Sequence, residues 1–157
     1  MAQQIKADKD YTLFTQLIQV ADLFVKIRER ELLPQNLSAT AAEILFLVDA
    51  MGEGVTPAKL SRLTLREPHS TSGLLVRMEK HGLLKRTKNM DRKNLIRITL
   101  TAKGEKALKQ AMKLDGTTQV IAKLTAAQQK QLKTTLSALK EAGKKDLHLS
   151  PKALLWP

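Results

Sequence analysis

Small polar residues and a histidine begin a short amphipathic segment, where their side chains could hydrogen-bond to a polyanion. The segment opens at Pro68, and His69, Ser70, Ser72 and Gly73 follow within its first two turns. Hydroxyl and imidazole groups bind base edges or phosphates, glycine permits close approach, and a helix N-terminus attracts phosphate. Ordinary first-turn polar chemistry on a surface helix is the alternative, and the spacing alone leaves both interpretations open.

Basic residues extend this pattern on both sides of the segment. Arg66 precedes it, Arg77 lies on its predicted outer face, and Lys88, Arg92 and Lys93 border the polar loop that follows. Guanidinium and ammonium groups at such positions suit contacts with phosphate. Most clusters of this kind are simply solvated, so the interpretation depends on the elements that carry them.

A helix, a turn, a second helix and a β-hairpin are predicted to position these side chains. Thr56 and Pro57 predict the start of one short helix, Pro68 predicts the start of the next, and Gly82 suits the position after its end. In the second strand of the hairpin, apolar residues alternate with polar ones, which is typical of a half-buried strand. A second helix of this kind suits the major groove of DNA, and a basic hairpin suits the flanking groove or the phosphates.

Longer helices are predicted on both sides of this central unit. Apolar spacing predicts a first helix over about 10–33, ended by Leu33-Pro34, and a capping box at Thr125–Gln128 predicts a last helix that stops near Gly143. Thr101 predicts the start of a further helix, and Gly116 leaves the position of its C-terminal end open. The apolar stripes of the outer helices could be intrachain core, but one small unit cannot cover both, so we expect a dimer interface. Its predicted members are Leu13, Leu17, Val20, Phe24, Leu132, Leu136 and Leu139.

Composition and charge limit the classes of function. The chain has 157 residues, a net charge of +12 and no cysteine, which favours a polyanionic partner and excludes disulfides and thiolate metal sites. The three histidines lack the spacing of metal ligands, and the sequence contains neither a nucleophile elbow nor a glycine-rich phosphate loop. We therefore expect no enzymatic activity, no metal and no cofactor. Because no signal core or apolar span of membrane length occurs, we expect a cytoplasmic protein without membrane association.

In order and spacing, these motifs resemble the MarR family, the multiple-antibiotic-resistance type of winged helix-turn-helix regulator. The resemblance covers nearly the whole chain and is sharpest over 60–104, in Met78–Arg86, Asp91-Arg92 and Leu100–Gly104. The chain departs from the family at Leu65–Glu67, where the family turn often holds glycine, and at the wing, where Arg92 follows Asp91 without an intervening residue. The resemblance implies a homodimeric regulator of transcription, most often a repressor, that binds double-stranded DNA and responds to a small ligand.

The predicted fold is mainly α with a small β-hairpin wing. It combines a winged helix-turn-helix DNA-binding domain over 38–101 with a dimerisation domain formed by N- and C-terminal helices, over 1–37 and 102–157. The predicted function is sequence-specific regulation of transcription by a homodimer on an inverted-repeat operator. Two alternatives remain at this point: an architectural DNA-binding protein of low specificity, and a helical protein-interaction module.

Overall fold

The computed structural model describes residues 9–52, 54–88, 95–113 and 115–149 of the chain. Over these ranges the protein is mostly helical, with one antiparallel two-stranded hairpin between the fourth and fifth helices. The elements are α1 (Lys9–Leu32), α2 (Ala39–Met51), α3 (Pro57–Leu63), α4 (Pro68–Lys80), β1 (Leu84–Lys88), β2 (Ile96–Leu100), α5 (Ala102–Ala111), α6 (Asp115–Ile121) and α7 (Ala126–Asp146).

Hydroxyl side chains fix where several of these helices begin. Ser38 Oγ accepts the Ala41 N–H at 3.1 Å before α2, and Thr56 Oγ1 accepts the Lys59 N–H at 3.2 Å before α3. Thr101 does the same before α5. Each cap satisfies an N–H that the helix itself cannot pair. The starts predicted at Thr56 and Thr101 are therefore confirmed, as is the capping box of α7, in which the Thr125 and Gln128 side chains bond reciprocally.

The hydrophobic core lies in the central part of the chain, around α2. Ile44 and Leu45 of α2 are fully buried, as are Leu60 of α3, Leu75 of α4 and Ile98 of β2. The segment between Gly54 and α3 is held against this core, because the Ile98 N–H of β2 donates to the Val55 carbonyl at 2.9 Å. Residues Leu108 and Ala111 of α5 also belong to the core.

The hairpin is held close to the start of α5. Its strands pair in register from Leu84 opposite Leu100 to Lys88 opposite Ile96. The Thr101 hydroxyl donates to the Gly82 carbonyl at 2.6 Å. A Cβ built on Gly104 would overlap the Leu83 carbonyl oxygen, so this position requires glycine.

In the C-terminal part, the structure defines one helix boundary that the sequence left open and corrects one that was predicted. The helix that follows Thr101 ends at Ala111, and Gly116 lies in a separate short helix, α6. The last helix passes through Gly143 and ends at Asp146, so the predicted stop near Gly143 was wrong. A single glycine inside an exposed helix costs only about 1 kcal/mol, which the helical turns around it outweigh.

Side-chain contacts join α1 to α5 and α6. The Arg28 guanidinium donates to the Ala111 carbonyl at the end of α5 and forms an ion pair with Glu31 at 3.2 Å. Glu31 in turn accepts the Gly116 N–H of α6. No described helix combines the length and apolar character needed to cross a membrane.

Candidate nucleic-acid interface

The turn between α3 and α4 sets the direction in which α4 leaves the core. The Arg66 N–H bonds to the Ser61 carbonyl and the Leu65 N–H to the Arg62 carbonyl, so the turn ends α3 with a left-handed residue. That residue is Leu65, with a φ of 51°, a conformation in which glycine is usual. The buried Ser61 hydroxyl donates to the Arg66 carbonyl at 2.6 Å and clamps the turn. Ser61 was missed at the sequence level, because a serine at a helix end carries no signal of this contact.

The fourth helix divides cleanly into a buried and an exposed face. Thr71, Leu75 and Met78 are buried, and Leu74 is half-buried, so the amphipathic character predicted for this segment is confirmed. The outer face of α4, which carries the candidate DNA contacts, is exposed along its length. Its exposed members are Pro68, His69, Ser70, Ser72, Gly73, Val76, Arg77 and Lys80.

The side chain of Arg66 is engaged with α2 rather than with the outer face of α4. Its Nη2 donates to Thr40 Oγ1 at 2.8 Å, and the guanidinium lies near Glu43. Burial raises the pKa of the Glu43 carboxyl above its ordinary value, and the positive charge of Arg66 partly offsets that rise. The Arg66 side chain thus connects the turn before α4 to the surface of α2.

The hairpin is tied to α4 through a carboxylate. Glu79 Oε1 accepts the backbone N–H of Arg86 in β1 at 2.9 Å, and Glu79 Oε2 lies 3.8 Å from the Arg86 guanidinium. Lys88 is exposed at the end of β1, beyond this anchor. Arg92 and Lys93 lie outside the described residues. The role of Glu79 was not apparent from the sequence, because it depends on where the strand packs.

The outer helices present most of their predicted interface residues to solvent. Six of the seven have exposed fractions between 42% and 56%, and Phe24 is half-buried. Exposed apolar surface of this extent is unusual for a monomer and is typical of interaction surfaces. The six are Leu13, Leu17, Val20, Leu132, Leu136 and Leu139.

A cleft of about 440 Å³ lies where α1, α2 and α5 meet. Val25, Phe46 and Met112 give it apolar walls, and Glu43 and Arg66 give it charged ones. Because Arg66 is two residues from the start of α4, this cleft adjoins the helix that carries the candidate DNA contacts. Among the residues that the structure describes, no three His, Asp or Glu side chains are grouped as metal ligands.

Comparison with known proteins places this arrangement among transcription regulators. The sequence profile of the MarR family matches residues 35–93. The crystal structure of an organohalide-sensing transcriptional regulator in its 2,4-dichlorophenol-bound form is 30% identical, with a TM-score of 0.84 over 96% of this chain and 94% of that one. Among curated protein sequences, none matches the chain significantly.

More distant structures share the fold. A mutant MarR from E. coli complexed with operator DNA is 19% identical, with a TM-score of 0.77 over 85% of this chain and 99% of that one. A MarR-family protein from Mycobacterium tuberculosis complexed with salicylic acid is 24% identical, with a TM-score of 0.64 over 87% of this chain and 99% of that one. At these identities the likeness establishes the architecture alone: a winged helix with flanking helices.

Proposed function

The chain belongs to the MarR family of transcription regulators, and we propose on that premise that it is a homodimeric repressor of an inverted-repeat operator. Regulators of this family are DNA-binding proteins without enzymatic activity. The proposal adds three features: the contacts of α4 and the wing with DNA, the pairing of two protomers, and relief by a small ligand. A location in the cytoplasm, with access to DNA, follows from it.

The outer face of α4 is the observation that carries the proposal. Small polar side chains occupy its first turns, its opposite face is buried, and the turn before it is clamped by Ser61. We assign base contacts to His69, Ser70 and Ser72, because hydroxyl and imidazole groups reach base edges in the major groove. Phosphate contacts are assigned to cations around the helix and hairpin, namely Arg77, Lys88, Arg92 and Lys93, and to the N–H groups of Arg66 other than the one bonded to Thr40.

Dimerisation is proposed through the apolar surface of α1 and α7. Two protomers paired there would bury the exposed Leu17 and Leu136 stripes and place two copies of α4 side by side. Helix-turn-helix dimers read half-sites about 10 base pairs apart, or a multiple of that spacing, so two-fold symmetry in the protein implies an inverted repeat in the DNA.

Ligand relief is proposed through the cleft between α1, α2 and α5. The 30%-identical relative is an organohalide sensor with 2,4-dichlorophenol bound, which supports a small, largely apolar ligand for this chain as well. A ligand contacting Arg66 would compete with its hydrogen bond to Thr40 and alter the turn before α4. Such a ligand weakens operator binding only if it binds one conformation of the dimer more tightly than the other.

Selection of bound duplexes from a random-sequence DNA library by the full-length protein tests the proposal. We expect a symmetric site that is bound at least about a thousandfold more tightly than scrambled DNA at fixed physiological salt. Equal affinity for both duplexes would support the architectural alternative, for which the net charge of +12 is sufficient. No retention on any duplex would leave the protein-interaction alternative.

Alanine variants of the first turn of α4 separate base contacts from phosphate contacts. His69→Ala and Ser70→Ala should each lower the ratio of operator to scrambled-DNA affinity by about tenfold, because a lost base contact costs about 1–3 kcal/mol. Lys88→Ala is the matched control at the hairpin and should weaken both duplexes alike. An equal loss of affinity for both duplexes in His69→Ala would show that His69 makes no base-specific contact. Mobility-shift titrations at one salt concentration measure both ratios.

A further inference from the structure

A glycine in the middle of α4 has no function within the protomer. Gly73 is exposed, and a Cβ built there would meet no other atom within 4 Å. Its φ is not in the left-handed region, so alanine would fit the backbone as well. Glycine inside a helix is less stable than alanine by about 0.5–1 kcal/mol. Nothing inside the fold compensates for that loss, which indicates that the space above Gly73 serves a molecule outside it.

An exposed valine stands next to this gap. Val76 is 49% exposed and follows Gly73 by three residues, which places both on the helix face opposite the buried Leu75. His69 and Lys80 lie on the same face, one turn before Gly73 and one turn after Val76. The centre of an otherwise polar and basic face is therefore a small apolar notch, with a methyl-bearing wall on one side and bare backbone at its floor.

We propose that the Gly73–Val76 notch reads the 5-methyl group of a thymine in the major groove. The inference rests on the proposed function, which places the outer face of α4 in that groove. In the major groove the thymine methyl is the apolar group by which a protein distinguishes base pairs, and apolar side chains contact it. The absence of a side chain at Gly73 allows the base edge to approach, and the Val76 methyls then pack against the thymine methyl. The surrounding cations hold the phosphates and so keep the helix at contact distance.

Deoxyuridine substitution tests the notch, because it removes the 5-methyl group and changes nothing else on the base. The probe is the duplex selected from the random library, synthesised with each thymidine replaced singly by deoxyuridine, together with its symmetry mate. We expect one symmetric pair of positions at which the replacement weakens wild-type binding by about fourfold for each methyl lost. At the other positions the affinity should stay within twofold of the parent duplex.

Protein variants assign that loss to the notch. Val76→Ala should bind the parent duplex as weakly as the wild type binds the deoxyuridine duplex, and it should no longer distinguish the two. Val120→Ala is the matched control, because Val120 is an exposed valine, 42%, on α6. It should keep the full discrimination. Gly73→Ala should fill the notch and weaken operator binding by about tenfold, while it raises the midpoint of thermal unfolding.

The outcomes separate the inference from its premise. Selection of a site without any deoxyuridine-sensitive thymidine, or a sensitivity that Val76→Ala retains, would overturn the notch and leave the proposed function intact. Wild-type affinity in Gly73→Ala would overturn the role assigned to the gap. Failure to select any duplex would overturn the proposed function, and the inference with it.

Discussion

The central unit and the outer helices of this protein differ in where their apolar side chains are. Among the described residues, all buried apolar side chains lie between Leu32 and Ala111, and α6 and α7 contribute none. The outer helices are similarly rich in leucine, isoleucine and valine, yet apart from the buried Leu32 and the half-buried Ile27 these residues are exposed in the isolated chain. Apolar side chains thus have two roles: in the central unit they pack against one another and stabilise the fold, whereas in the outer helices they are free to pack against another protein surface.

This difference indicates how stability and assembly are divided. The central unit contains its own helix caps and turns, and the described buried apolar residues cluster around it. Of the outer helices, α1 meets this core through the fully buried Leu32 and through the Arg28 bond to the Ala111 carbonyl of α5, and Glu31 joins α1 to Gly116 of α6. Burial of a large apolar side chain is worth about 1.5–3 kcal/mol, so an exposed seam of this length is a strong driving force for association.

The largest effect is expected for a charge in the apolar seam. Leu136→Glu would bury an unpaired carboxylate between protomers, which carries a large desolvation cost. We expect loss of the dimer and at least about a hundredfold loss of operator affinity, while the central unit keeps its helical signal. Analytical ultracentrifugation and mobility shifts measure the two losses. Thr134→Glu, on the opposite side of α7, is the control and should change neither. A wild-type monomer with full operator affinity would refute the role of the outer helices in dimerisation.

A smaller effect, confined to the central unit, is expected where α5 meets the hairpin. Gly104→Ala would force a methyl group against the Leu83 carbonyl, and overpacking of this kind costs typically about 1–3 kcal/mol. We expect the free energy of unfolding to fall by about 3 kcal/mol in urea denaturation. Gly73→Ala, where the space is open, should instead raise it by about 0.5–1 kcal/mol. Equal changes at the two glycines would contradict the packing described for Gly104.

The junction between the two regions should show an intermediate effect. Arg28→Met removes the ion pair with Glu31 and the bond to the Ala111 carbonyl, and we expect a loss of about 1.5 kcal/mol. Because this junction holds the outer helices against the central unit, operator affinity should fall while the dimer persists. Arg30→Met, an exposed arginine of the same helix, is the control. Unchanged stability and operator affinity in Arg28→Met would show that the junction does not couple the two regions.

The smallest effect is expected in the turn before α4. Leu65 adopts a left-handed conformation, which costs a non-glycine residue about 1–2 kcal/mol. Glycine avoids this cost, but part of the gain is lost because glycine gives up more backbone entropy on folding. Leu65→Gly should therefore raise the free energy of unfolding by about 0.5–1 kcal/mol. Ala50→Gly, in a right-handed helical position, should lower it by a similar amount. A decrease for Leu65→Gly would mean that the leucine side chain contributes a contact that outweighs its conformation.

Much of the fold could be predicted because its signals are local. Ser38, Thr56 and Thr101 cap helices by bonding to an N–H three residues ahead, so sequence spacing alone reveals them. The predicted amphipathic character of α4 and the predicted alternation in β2 were likewise correct, since they depend on the 3.6- and 2-residue periods. The stop of the last helix near Gly143 was wrong, because glycine disfavours a helix without preventing one.

The contacts that complete the candidate site depend on distant segments of the chain. Glu79 anchors Arg86, Arg66 turns toward Thr40, which is 26 residues away, and Ser61 clamps the turn. No periodicity reports such pairs, because their geometry is set only when α2, α3 and the hairpin pack together. The proposed DNA contacts of His69 and Ser70 remain predictions that the isolated chain leaves to experiment.

By itself, the sequence determined the order of the helices, the hairpin, the basic character and the family to which the chain belongs. These follow from residue type and short-range spacing, since caps, turns and amphipathic periods act within one or two helical turns. The tertiary structure alone decided which apolar residues are buried, where α5 gives way to α6, and how Arg66 lies between α2 and α4. Burial and long-range hydrogen bonds exist only after distant segments meet, so no stretch of sequence contains them.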